Sequence, residues 1–358
     1  MSAGTRSGRS RRPTIADVAR EAGVSTGAVS LAMNGRAGVA AATAERIRAT
    51  ADELGWRPSA TARGLTSARA QAIGIVVRRP AAAFGNDPFF SAIIGGIETV
   101  LAPHDYALLI RIVNDEEQET AAYQTLAGAG RIDGFLLTDI RVRDPRLLLV
   151  QQLGAPSVLV GRPTSGCDLP SVGPDDRGPV LRTVQHLVEL GHRRIGHVRG
   201  AHGYIHTADR ELAWRDGLAA AGLSDDLLAD GDFTPAGGAD ATRELLAAPD
   251  PPTAIVYASD LMAIAGMAAA GELGLRVPDD LSVTGFDDID LAAHVAAPLT
   301  TVSRDMLDWG QHCATALMAQ LDGSAVPRHT PLPAQLVIRE STSRPRLSRP
   351  GPARPTRS

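Results

Sequence analysis

The sequence predicts an all-α head followed by a doubly wound α/β body, and three observations predict it. Residues 14–55 carry apolar side chains at helical spacing in three short runs. From Ala72 onward, short apolar runs alternate with amphipathic stretches. The charge divides at the same border: residues 1–70 hold 11 Arg against 5 acidic residues, a surplus of 6, and residues 343–358 hold 5 Arg and no acid. Taking both surpluses from the net charge of −4 leaves −15 on the stretch between them.

Composition bounds the remaining possibilities. A chain of 358 residues suits two or three domains, and 44% hydrophobic with 21% charged residues describes a globular protein. The sequence holds no run of about 18 apolar residues that could span a bilayer. MSAGTRSGRSRRP lacks the apolar core of a secretion signal, so a cytoplasmic location is expected. Cys167 and Cys313 are the only cysteines and read as reduced core thiols. The 9 His show no ligand-like spacing, so neither a metal nor another cofactor is expected. Residues 1–12 and 343–358 read as disordered basic arms.

The head occupies residues 13–56. Ile15, Val18, Ala19 and Ala22 fall on one helical stripe, with Thr14 as N-cap and Asp17 in the first turn. Gly23 supplies the left-handed stop. Ser25 caps a second helix whose Val29, Ala32 and Met33 point inward, and Ala44, Ile47, Ala51 and Leu54 stripe a third that ends at Gly55. Two helices joined by a tight Gly-Val-Ser turn form a helix-turn-helix, which can offer the start of its second helix to a major groove. An ordinary helical hairpin would share the periodicity. The clustered arginines favour the polyanion-binding reading, because they displace counterions from phosphates.

DVAREAGVS, VSLAMNGR and ELGWRPSATARGL together resemble the DNA-binding head of the LacI/GalR (lactose/galactose-repressor) family of bacterial transcription regulators. The resemblance runs from Thr14 to about Ser341. It implies DNA contacts from Thr14, Ile15, Ser25, Thr26, Gly27, Ser30, Leu31, Asn34 and Arg36. Many members carry Arg where Leu31 stands and a polar side chain where Gly27 stands. A bidentate contact to guanine is therefore missing, and the operator sequence does not carry over from relatives. Residues 57–70 read from composition as a flexible linker; the resemblance makes them a hinge helix that folds on DNA. Leu65 would then wedge the minor groove, with Ala62 and Arg63 beside it.

In the body, IGIVV at 73, YALLI at 106, IDGFLLT at 132, PSVLV at 156, RIGHV at 194, TAIVY at 253 and LSVTGF at 281 read as buried parallel strands. Ligands of such sheets bind beyond the strands' C-terminal ends. That points to Phe89 and Phe90, Gly161 and Arg162, Ser259 and Asp260, and Asp287. Asp260 also reads as a helix N-cap, Asp288 as a local cap, and His192 as a surface residue at a strand start.

The family resemblance makes residues 71–342 a periplasmic-binding-protein-like pair of lobes with a ligand cleft between them. Lobe one is expected at 72–161 plus 291–322, and lobe two at 162–290 plus 323–342. Resemblance also implies that Arg210 hydrogen-bonds the ligand, that Phe233 covers it and that Asp287 accepts from its hydroxyls. The full effector set is Phe89, Phe90, Arg162, Arg210, Phe233, Ser259 and Asp287, a combination that suits a small polyhydroxylated ring.

No GxxxxGK[ST], no GxSxG elbow and no paired acid/base motif is present, and GAGRIDG precedes a strand, the reverse of a dinucleotide fingerprint. An enzyme is not expected. The expected protein is a transcription regulator, a repressor in the first reading, that binds palindromic operator DNA as a homodimer and responds to a small-molecule effector such as a sugar. An activator or dual regulator of the same architecture remains open, as does a solute-binding protein feeding a transporter.

Overall fold

Thr14 opens the first helix with chemistry supplied by its neighbour. Its backbone N–H and its hydroxyl both donate to the Asp17 carboxylate, at 2.9 and 2.7 Å, and helix α1 (Ile15–Glu21) follows. Gly23, at φ +66°, takes the left-handed turn that ends it. The Ser25 hydroxyl accepts from the Ala28 N–H at 3.1 Å and starts α2 (Thr26–Met33). Helix α3 (Ala41–Glu53) completes the head. Val18, Val29, Ile47 and Ala51 are fully buried, with Ile15, Met33 and Leu54 packed around them.

The computed structural model describes residues 13–33, 35, 37–57, 69–163 and 166–346, and the division between its two compact units falls between Gln71 and Ala72. Asn34, Arg36, Ala62, Arg63 and Leu65 lie outside the described residues, as do the arm at 1–12 and the tail from 347.

The body begins with β1 (Ala72–Arg78), α4 (Ala81–Gly85), α5 (Pro88–Leu101), β2 (Ala107–Val113), α6 (Glu116–Gly128), β3 (Gly134–Leu137), α7 (Pro145–Gln152), β4 (Ser157–Val160) and β5 (Ser171–Pro174). The chain then crosses to α8 (Arg177–Leu190), β6 (Ile195–Arg199), α9 (Ile205–Ala220), β7 (Leu228–Asp230), α10 (Pro235–Leu246), β8 (Ala254–Tyr257), α11 (Asp260–Glu272), β9 (Ser282–Thr284) and β10 (Thr301–Ser303). It returns through α12 (Met306–Leu321) and β11 (His329–Leu332), and crosses once more to β12 (Gln335–Val337).

The first sheet is parallel, in the order β11-β5-β4-β3-β1-β2; the second is parallel, in the order β7-β6-β8-β9; β10 and β12 form an antiparallel pair. Three crossovers therefore join the lobes, at 174–177, 303–306 and 332–335.

All seven expected strands are present, but β2, at the sheet edge, is buried only at Val113, and the expected lobe boundaries need correction. β5 and β11 pair inside the first sheet, so 171–174 and 329–332 belong to lobe one. Thr300 and Ser303 bridge to Thr284 and Asp287, so 300–303 belongs to lobe two. The reason is physical: membership of a sheet is decided by long-range pairing, and these strands are too short to declare a partner.

Two further readings change. His192 is 1% exposed, not at the surface, and its ring nitrogens meet the Thr253 hydroxyl at 2.8 Å and the Ser343 carbonyl at 2.9 Å. Ser343, expected in the disordered tail, is tied to Ser282, whose hydroxyl accepts its N–H at 3.0 Å.

Helices α5 and α12 pack at close range over the first sheet. A Cβ on Gly96 would stand 2.0 Å from the Leu307 carbonyl oxygen, and one on Gly310 would stand 2.2 Å from that of Ile93. This contact carries Phe89, on α5, and Trp309, on α12, to the same end of the lobe. Their rings meet edge-on at 5.6 Å.

Candidate nucleic-acid interface and ligand cleft

In the head, the exposed end of α2 presents Ser25, Thr26 and Gly27 to solvent, while Ser30 and Leu31 are half-buried. Leu31 leans toward the following turn, its Cδ1 standing 3.2 Å from where a Cβ on Gly38 would lie. Thr14 is committed to Asp17, and Ile15 packs into the head core. The start of α2 thus combines free backbone donors with exposed side chains, an arrangement that accepts phosphate and reaches base edges.

In the body, a cavity of about 100 Å³ lies between the lobes, beyond the C-terminal ends of the strands. Phe89, Arg162, Arg210, Phe233, Ser259 and Asp287 line it. Phe90 does not: it is 2% exposed and packs on Phe84, with ring centroids 4.6 Å apart, in the first-sheet core. Adjacent residues on a helix face different ways, so only one of the two phenylalanines can face the cleft.

The cavity's charged side chains form three hydrogen-bonded groups. Arg210, on α9, donates through Nε to Asp176 at 2.9 Å and through Nη1 to the Ala258 carbonyl at 2.5 Å. Its guanidinium lies 3.7 Å from the centre of the Phe286 ring. Arg304, on the second crossover, bridges Asp176 at 3.4 Å and Asp287. Burial works to raise the Asp176 carboxyl, but Arg210 and Arg304 prevail and hold it below the usual carboxylate range. Arg162 pairs with Asp209, one of its two hydrogen bonds measuring 2.8 Å. Arg79 pairs with Asp139 at 2.7 Å and with Asp87 at 3.0 Å. Burial pushes Asp87 up to about 6, against the opposing charge of Arg79.

Asp287 sits at φ +119° and Asp288 at φ +56°, a strained turn at the end of the second sheet. Asp260 holds that turn. Its carboxylate accepts from the Ile289 N–H at 2.9 Å and from the Thr301 hydroxyl at 2.5 Å. The helix cap is therefore Ser259, which accepts from the Met262 N–H, and not Asp260. Asp288 does not cap locally either; it accepts from Arg339 at 2.6 Å.

Aromatic rings share the remaining walls with aliphatic side chains such as Ile140, Val160 and Leu261. Phe233 covers the cavity from lobe two because Gly200 leaves the space: a Cβ there would stand 1.9 Å from the ring. His206 faces Phe233 with ring centroids 5.3 Å apart. Burial first, then the charge of Arg210, hold its imidazole well below its usual pKa and so neutral.

Sequence reasoning missed Asp176, His206, Arg304 and Trp309, and with them Arg79, Asp87, Asp139 and Asp209. Asp176 and Arg304 follow β5 and β10, so the strand-end rule would have found both had those strands been recognised. Among the described residues, no group of His, Cys, Asp and Glu is arranged to hold a metal ion, and no helix is long and apolar enough to cross a membrane.

A two-lobe body with a polar and aromatic cleft, in one chain with a three-helix head exposing its second helix, defines a ligand-binding, nucleic-acid-binding class of protein. Comparison with known proteins narrows this. Residues 14–59 match bacterial regulatory proteins of the lacI family, and residues 184–342 match a periplasmic binding protein-like domain. The HTH-type transcriptional regulator CelR of Thermobifida fusca is 33% identical over 340 residues, covering 93% of this chain and 99% of that protein. The HTH-type transcriptional repressor CytR of Escherichia coli (strain K12) is 34% identical over 332 residues, covering 92% and 96%. The crystal structure of the lac repressor dimer bound to operator and the anti-inducer ONPF superposes with a TM-score of 0.84 at 27% identity, covering 93% and 100%. The solved complex of CelR with cellobiose gives 0.70 at 32%, covering 92% and 100%. The chain belongs to the lacI family of bacterial regulatory proteins. It is a DNA-binding transcription regulator with a ligand-binding body, and its relatives are regulators, not enzymes.

Proposed function

We propose that the protein is a cytoplasmic repressor that binds a palindromic operator as a homodimer, and that a sugar or sugar derivative bound between the lobes resets its operator affinity. The observation that carries the ligand part is the series Arg210–Asp176–Arg304–Asp287, set between the Phe89/Trp309 corner and Phe233. Fixed charged groups offer donors and acceptors to ring hydroxyls, while the aromatic faces take up the ring's C–H surface. The relatives support the reading, since lac repressor is solved on its operator and CelR with cellobiose.

Contacts to the ligand come from Phe89, Arg162, Arg210, Phe233 and Asp287, with Asp176, His206 and Arg304 added. Ser259 spends its hydroxyl on the helix cap and contributes mainly shape. Contacts to DNA come from Thr26 and Gly27 at the tip of α2, with Ser25 and Ser30 beside them. The residues at 62, 63 and 65 serve as the hinge. A ligand that favours one lobe arrangement shifts the crossovers bearing Asp176 and Arg304, and so alters operator affinity by about 1–3 kcal/mol, or roughly 5- to 150-fold.

The test is fluorescence anisotropy of the full chain on fragments of its native promoter region, with and without a sugar panel. One palindrome should bind tightly, and one sugar should change that affinity within this range. Equal binding to every fragment defeats the DNA part; affinity unmoved by every sugar defeats the ligand part.

A further inference from the structure

The positive charge of the DNA-binding part of the chain does not lie in its helices. Between Thr14 and Trp56 the head holds four arginines, Arg20, Arg36, Arg46 and Arg48, against five acidic residues, a net charge of −1. The whole surplus of 6 on residues 1–70 therefore flanks the helices. Arg6, Arg9, Arg11 and Arg12 place +4 on residues 1–12, where there is no acid, and Arg57, Arg63 and Arg69 place +3 on residues 57–70.

Helix α2, which offers its start to the major groove, carries no charged side chain. Nor are the head's arginines all free to leave it: Arg20 donates to Asp17 at 2.6 Å and Arg48 to the Ala32 carbonyl at 3.4 Å. Sequence-independent affinity for DNA comes from cationic side chains that neutralise phosphates and release their counterions. The three helices are poorly supplied for that task.

Residues 1–12 join the head directly ahead of Pro13 and Thr14, the cap of α1. In a helix-turn-helix the first helix crosses the DNA backbone while the second lies in the major groove. Arg12 thus precedes by two residues the helix that meets the phosphates. A segment of this length reaches at most about 40 Å, more than one turn of duplex at about 34 Å. The tail is basic too, but it departs from the other compact unit, where Asp279 and Asp280 hold Arg346 at 3.0 and 3.3 Å.

We propose that residues 1–12 are a DNA-clamping arm: Arg6, Arg9, Arg11 and Arg12 contact phosphates of the duplex that the head reads, and supply the sequence-independent affinity that the helices lack. The inference rests on the DNA-binding reading above. Helix α2 selects the sequence, and the arm holds the duplex. Because phosphates are the same everywhere, the arm tightens an operator and an unrelated duplex alike.

The experiment is fluorescence anisotropy of the full chain on the operator fragment and on a scrambled duplex of equal length, across a salt series. Each neutralised phosphate contributes about 0.9 to the slope of log affinity against log salt, so the two arms of a dimer can account for at most about 7. Replacing the four arginines together, as Arg6→Gln, Arg9→Gln, Arg11→Gln and Arg12→Gln, should lower that slope by at least about 3 on both duplexes and weaken binding at about 0.1 M salt at least tenfold. The melting temperature should not move, since α1 takes its cap from Thr14 and Asp17. Lysine at the same four positions should restore the slope, and Arg349→Gln, Arg354→Gln and Arg357→Gln in the tail should leave it as in the parent. A slope unchanged by the glutamines, a loss confined to the operator, a slope that lysine fails to restore or an equal fall in the tail variant each overturns the arm. Tighter binding by the glutamine variant overturns it as well, and shows the segment occupied elsewhere. None of these outcomes touches the operator reading, which falls only if the parent binds the two duplexes equally.

Discussion

The guanidinium of Arg210 donates to Asp176 at 2.9 Å, joining helix α9 to the first crossover between the lobes. Both side chains are nearly sealed from solvent. Anything that draws Arg210 toward a ligand is therefore felt at a segment connecting one lobe to the other.

Arg210→Met should cost stability as well as the ligand response. It leaves buried Asp176 with Arg304 alone, at 3.4 Å. Breaking a buried pair by removing one partner costs about 3–5 kcal/mol. Urea unfolding of the variant should register a loss of this size, and a midpoint equal to the parent's would show that the pair does not stabilise the body.

Asp287→Asn should spare the fold and weaken the effector. Asparagine tolerates the positive φ of this position, but it loses the charge that strengthens hydrogen bonds from ligand hydroxyls and from Arg304. Charge-assisted bonds contribute about 1.5–3 kcal/mol, so sugar affinity should fall by roughly tenfold or more while operator binding without sugar is retained. An unchanged dose response removes Asp287 from the pocket.

Gly200→Ala should displace Phe233. The new methyl group would overlap the ring and force it outward into the spaces it borders. The expected outcome is a destabilisation of about 1–3 kcal/mol, as for other overpacked sites, together with weaker sugar binding. Thermal melting with and without sugar measures both.

Asp260→Asn should alter the pH dependence of stability. Burial, reinforced by the carboxylate of Asp287, pushes Asp260 up to about 7 from the ordinary value of 3.8. A carboxyl raised on folding contributes stability that is fully present below the unfolded value and is lost as pH rises through the folded one. The parent should therefore lose stability relative to the asparagine variant between about pH 4 and 7. Parallel stability curves for the two proteins across that window would sink the assignment.

Thr26→Ala should weaken operator binding a few-fold to tenfold, the loss of one hydrogen bond, and leave the melting temperature unchanged because the side chain is exposed. Anisotropy on the operator fragment and a melt of the same sample separate the two effects.

Much of this was legible in the chain before folding. The head follows from local rules: the Thr14–Asp17 pair, Gly23 and Ser25 act within a few residues of themselves, and the apolar stripe needs only helical spacing. The cleft was half legible. Arg162, Ser259 and Asp287 follow the apolar runs PSVLV, TAIVY and LSVTGF, and the strand-end rule found them. Asp176 and Arg304 follow β5 and β10, equally short strands whose SVGP and TVS hold too few apolar side chains to stand out as such runs. Phe89 and Phe90 were indistinguishable as letters; the packing of α5 on the sheet and α12 sent one to the cleft and the other to the core.

By itself, then, the sequence determined the two architectures, the helix-turn-helix and the class of side chain awaiting a ligand, because helix stops, caps and periodicity are short-range and written in neighbouring residues. Only the tertiary structure decided which strands share a sheet, that Asp260 holds the turn bearing Asp287, and that four charged residues from distant segments line up as Arg210, Asp176, Arg304 and Asp287. Those outcomes depend on contacts between residues from 17 positions apart, as in Arg304 and Asp287, to 128, as in Arg304 and Asp176, where the energy lies in packing and burial, and no local pattern reports it.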